Sequence, residues 1–177
     1  AADISGEIET VLRDVAARTA VCGGHLRVSA FSGTSAGTVT LFDEQLALNG
    51  ATENSRFRRI PGVQDHVVGE VSKRYGDFTG RAGGCDIVGQ LRLADEYVHQ
   101  LGEQYVLAEF ILTDGLQNAV VKVQTARNGT EAEAMAQRVS AAGVGVAGQQ
   151  GVVVGFEEQQ TRLNAVVQCG FTPGRQL

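Results

Sequence analysis

The stretch Tyr105-Val106-Leu107-Ala108-Glu109-Phe110-Ile111-Leu112-Thr113-Asp114-Gly115 decides how this chain is read. It is a nearly continuous apolar run that stops at a carboxylate followed by glycine. Runs of this kind, short and containing Tyr, Val, Phe and Ile, read as a strand buried on both faces of a parallel sheet. In open parallel sheets ligands bind beyond the carboxyl ends of the strands, so Asp114 is aimed at a site.

Working outward, helix-like and strand-like patterns alternate. Ile8, Val11, Leu12, Val15 and Ala16 recur at three- and four-residue spacing and predict a first helix, closed by Gly23-Gly24. Leu26 to Phe31 reads as a strand, and Thr38 to Asp43 alternates with period two as an edge strand does. The short turn between them predicts an antiparallel hairpin. Residues 49–60 read as a polar loop. Pro61 opens a helix with the stripe Val63, Val67, Val68, Val71 and Tyr75. Asp86 caps a further helix, with Ile87, Leu91, Ala94, Val98 and Leu101 on its apolar face. After the anchor strand, Ala119 to Val123 is a weak strand signal, and Thr130 is expected to cap a helix over 131–142. Gly151 to Phe156 reads as a second buried strand, and a last helix is expected over 158–169. The alternation predicts an α/β fold with a doubly wound, mostly parallel central sheet, one antiparallel edge strand and helices on both faces, in a single domain over 1–177.

Composition narrows the function. With 177 residues, 43% hydrophobic and 20% charged, the chain is long enough for one well-filled core. A net charge of −5 argues against nucleic acid as partner, since phosphates demand a basic face. Arg56-Phe57-Arg58-Arg59 is the densest basic cluster and reads as a solvated loop. No run is apolar and long enough to span a bilayer, no targeting segment is visible, and a soluble domain is expected in a compartment the sequence does not name. Cys22, Cys85 and Cys169 form no C-x-x-C pair, so neither a zinc site nor a thioredoxin-type motif is expected. His25, His66 and His99 are scattered and suggest no nucleophilic triad. Asn128-Gly129-Thr130 fits a glycosylation acceptor, yet reads more simply as a turn and a cap.

Three loops carry oxygen ligands: Asp3-Ile4-Ser5-Gly6-Glu7, Gly83-Gly84-Cys85-Asp86 and Thr113-Asp114-Gly115. Carboxylates together with hydroxyls suit a hard divalent cation, Mg²⁺ or alternatively Ca²⁺ or Mn²⁺. Here the chain resembles the von Willebrand factor A-type (vWA) domains. Their metal-ion-dependent adhesion site uses an Asp-x-Ser-x-Ser loop, a Thr from a later loop and an Asp commonly found in Thr-Asp-Gly. Asp3 and Ser5 match the first loop and Asp114 the last. Glu7 replaces the second serine, and Cys85 stands where the threonine hydroxyl belongs, leaving Asp86 or Thr79 as substitutes. Only Ala1-Ala2 precede Asp3, so the first central strand of such a fold is expected to be truncated or to lie upstream.

The resemblance implies a non-enzymatic, adhesion-type module that binds a protein partner at the strand ends, an acidic residue of the partner completing the cation's shell. Glu7 and Cys85 favour an alternative, a metal-free assembly domain of the same fold. A Mg-dependent hydrolase is the third reading; it lacks a nucleophile, and its only candidate general base is Glu7.

Overall fold

The computed structural model describes residues 6–78, 86–102, 105–113, 125–141, 150–155 and 165–171. Helix α1 (Gly6–Cys22) buries Ile8, Leu12, Val15 and Ala16 of the expected stripe, leaves Val11 partly buried, and adds Thr19 and Ala20 one turn further on. It ends because Gly23 adopts φ +67°, which lets the Gly23 and Gly24 amides reach back to the carbonyls of Ala20 and Thr19. The chain reverses there into β1 (His25–Ala30), which forms an antiparallel hairpin with β2 (Val39–Gln45). A 3₁₀ turn, Ser35–Gly37, lies between the two strands.

Within the polar stretch after β2 lies a short helix the sequence did not announce, α2 (Glu53–Phe57). Helix α3 (Ile60–Tyr75) follows with Pro61 in its first turn and buries Val67, Val71 and Tyr75. Helix α4 (Ile87–Leu101) is capped by Asp86, as expected, but its most buried residues are Gln90, Ala94 and Tyr97. Strand β3 spans Val106–Thr113. Helix α5 (Gly129–Ala141) is capped by Asn128, whose Oδ1 accepts the Glu131 amide at 3.0 Å, so Thr130 lies inside the helix instead of capping it. Strands β4 (Gln150–Gly155) and β5 (Ala165–Phe171) complete the sheet.

The sheet is not the doubly wound, mostly parallel one that the sequence suggests. Its order is β2-β1-β5-β3-β4, and three of its four pairings are antiparallel: β1 with β2, β1 with β5, and β3 with β5. Only β3 and β4 pair in parallel. The error traces to one segment. Residues expected to close a final helix form β5, a strand in the centre of the sheet. Ala165-Val166-Val167 is apolar with two β-branched valines, and such a run suits a strand flanked on both sides. The Ala119–Val123 signal lies outside the described residues.

Two cores flank the sheet. The larger joins α1 and α3 to Leu26, Val28 and Ala30 of β1, Leu41 and Phe42 of β2, and Leu112 of β3. On the other face Phe31 and Ile111 pack with Ile87 and Leu91 of α4. Among the described residues no helix is long and apolar enough to cross a membrane.

Candidate functional site

Register fixes which strand ends meet. Ala30 of β1 is opposite Ala165, which is in turn opposite Leu112 of β3, while Thr113 pairs with Gly155 of β4. Strands β1, β3 and β4 therefore point the same way and finish along one edge. Helix α1 runs back along β1 after the Gly23-Gly24 reversal. Its 17 residues, at ~1.5 Å each, bring Gly6 to that same edge.

Asp86 lies there too and is 3% exposed. Its Oδ1 accepts the Gly89 amide at 3.1 Å, the N-cap bond of α4. Its Oδ2 accepts the Ser35 amide at 3.0 Å, which ties the 3₁₀ turn after β1 to the start of α4. A Cβ at Gly89 would meet Asp86 Cγ at 2.7 Å and Ser35 Cβ at 2.9 Å, so glycine here lets the two sit close without either shifting. Both Asp86 oxygens thus take backbone amides, and the residue positions the edge. Glu7, in the first turn of α1, is exposed.

Of the sequence-predicted ligands, Asp3, Ser5, Thr79, Cys85 and Asp114 lie outside the described residues. The described segments that flank them begin at Gly6 and Asp86 and end at Phe78 and Thr113. Gly6, Asp86 and Thr113 converge on one edge. Among the described residues no group of three or more His, Cys, Asp or Glu could hold a metal ion.

The face beneath α4 carries a polar cluster that the sequence did not reveal. Arg27 lies with its guanidinium carbon 3.5 Å from the Tyr97 ring centre and donates to Asp43 Oδ2 from Nη2 at 2.6 Å and from Nε at 3.1 Å. The Tyr97 hydroxyl donates to Asp43 Oδ1 at 2.9 Å, and His25 Nε2 lies 2.7 Å from the same oxygen. Burial works to raise the Asp43 carboxyl, but the bonds from Arg27, His25 and Tyr97 outweigh it and hold the group below its usual range. Burial, then the Asp43 bond, pushes the Tyr97 hydroxyl well up. Alongside, Gln90 Nε2 donates to Thr38 Oγ1 at 2.8 Å. Beside the cluster, Arg27, Ser29, Thr40, Gln90 and Tyr97 line a cleft of about 250 Å³. The pairings lock α4 onto the β1–β2 hairpin.

Glu109 lies on the same face. Through Gln168 of β5 it shares a cross-strand row with Arg27 and Asp43. It is 3% exposed, and neither carboxylate oxygen has a hydrogen-bond partner among the described residues. Burial alone pushes its carboxyl up to about 8, so it is mostly protonated at neutral pH. The visible signal was a Glu inside an apolar strand; Arg27 between Leu26 and Val28 was its counterpart on β1.

Comparison with protein-family models, with curated proteins and with solved structures finds no match for this chain.

Proposed function

We propose that this chain is a non-enzymatic binding module that takes a protein partner at the edge where β1 and β3 end and α1 and α4 begin. The observation that carries the reading is the placement of Gly6, Ser35, Asp86 and Thr113 at one end of the sheet, with Asp86 tied to the Ser35 amide there. Asp3, Ser5 and Asp114 are hard oxygen donors that suit Mg²⁺, and they would hold it; Cys85 does not suit such an ion. Asp86 is committed to two amides and acts by fixing α4. When bound, the cation supplies a coordination position that a partner's carboxylate fills. The rest is recognition, without bond-making chemistry.

The test is the thermal midpoint of the full chain with and without millimolar Mg²⁺. A ligand that binds only the folded state raises stability by RT ln(1 + [L]/Kd). The expected rise disappears in Asp114→Ala. An unchanged midpoint in the parent removes the cation from the account and leaves the metal-free assembly domain, which Cys85 in place of a hydroxyl favours.

A further inference from the structure

The chain carries a second candidate surface, at α2, that the strand-end site does not use. Phe57 is 43% exposed, one of two large hydrophobic side chains so exposed among the described residues. Arg56 precedes it and Arg58 and Arg59 follow it, the latter two exposed. In the chain's other helices and in β1, arginines are mostly paired: Arg13 with Glu9 and Asp65, Arg18 with Asp14, Arg27 with Asp43, Arg74 with Glu70 and Arg92 with Glu96. Arg56, Arg58 and Arg59 have no ion pair among the described residues, although Glu53 lies on the same short helix. In a chain of net charge −5, three arginines flanking Phe57 in sequence, with no ion pair among the described residues, are a local reversal of sign.

The turn that presents them is built. Thr52 Oγ1 accepts the Ser55 amide at 3.2 Å, and the Thr52 amide donates to Ser55 Oγ at 3.1 Å, a reciprocal capping box. Gly50 passes so close that a Cβ there would meet Ser55 Oγ at 2.5 Å and the Arg56 amide nitrogen at 3.1 Å. Pro61 fixes the start of α3 directly after Arg59 and Ile60. The backbone beneath the arginines is thus ordered before any partner arrives, which lowers the entropy cost of docking.

We infer that the α2 knuckle is an interaction surface for an acidic segment of a partner protein that also carries an apolar side chain for Phe57. Arg and aromatic residues dominate binding hot spots, and charge complementarity sets the sign of the partner. An anionic membrane fits less well. Lipid-binding clusters typically bring about four to eight basic residues, against three here, and the acidic remainder of the chain would be repelled. The inference stands on the knuckle alone and does not depend on the cation.

The experiment selects a random peptide display library on the full chain with counter-selection on the Arg56→Glu/Arg58→Glu/Arg59→Glu variant. The enriched peptides are then synthesised and titrated, with vesicles of phosphatidylserine and phosphatidylcholine run in parallel. The expected result is peptides rich in Asp and Glu with an apolar residue, whose affinity falls about tenfold or more with Phe57→Ser and with rising salt. The thermal midpoints of the variants should stay near the parent's, since these side chains are largely outside the core. Failure to enrich acidic peptides, equal binding to the charge-reversed variant, or sedimentation with the vesicles without peptide enrichment would each overturn the inference.

Discussion

The Asp86 carboxylate accepts the Ser35 amide at 3.0 Å while capping α4 through Gly89, so one buried side chain joins the loop after β1 to the start of α4. Asp86→Ala removes both acceptors and leaves two backbone donors without their partner. Loss of the cap and of the acceptor for a part-buried amide are together expected to cost about 1–3 kcal/mol. Urea unfolding checks the figure, and a loss under ~0.5 kcal/mol would show that water replaces the carboxylate freely.

Gly89→Ala tests the same clasp from the other side. A methyl there presses on the Asp86 carboxylate and on Ser35, both packed around it. Although alanine is the better helix former, the variant is expected to be less stable than the parent. A gain in stability would mean that Asp86 and Ser35 move apart at little cost.

Glu109 sets a pH dependence in the alkaline direction. Its folded-state pKa, about 8, lies above the ordinary value of 4.5, so folding takes up a proton between those limits. The stabilising state is fully present below 4.5 and is lost as pH rises through the folded value, with a slope of up to ~1.4 kcal/mol per pH unit. Glu109→Gln should flatten this slope and unfold later than the parent at pH 8. Chemical denaturation across that pH range reads the result; parallel curves for the two proteins would contradict the burial of this acid.

Asp43 works in the opposite direction. Its pKa is lowered in the folded state, so its contribution is present above the ordinary value of 3.8 and fades as pH falls through the folded one. Asp43→Asn should shallow the acid limb of the stability profile, whereas Tyr97→Phe, which removes one neutral donor, is expected to cost about 1 kcal/mol at neutral pH.

What the sequence disclosed and what it withheld divide along physical lines. The helical stripes of α1 and α3 were legible because Leu12, Val15, Val67 and Val71 report a local period. Asp86 was legible as a cap because capping is also local. Strand β5 was not. Ala165 to Phe171 is short and lacks alternation, and its place between β1 and β3 follows from pairing with residues far away in sequence. Helix α2 is five residues long, too short to show a period. The Arg27–Asp43–Tyr97 cluster depends on cross-strand register and on the rotation of α4, which turns Gln90 and Tyr97 inward.

The central position of β5 has its own spectroscopic signature. Val167 is opposite Val28 on one side and Phe110 on the other. Nuclear Overhauser contacts from Val167 to both strands are expected; contacts confined to residues three and four positions away along the chain would restore a helix there.

The most direct test of the account is where a divalent ion settles. Mn²⁺ titrated into isotopically labelled chain is expected to broaden the amides of Gly6, Phe31, Gly89 and Thr113, which lie along or near the edge where β1 and β3 end. Those of Gly24, Gln45 and Tyr105, at the far end of the sheet, should stay sharp, and Asp114→Ala should abolish the effect. Broadening centred on the far end, or none at Mn²⁺ levels that saturate ordinary protein sites, would contradict a cation-assisted binding edge.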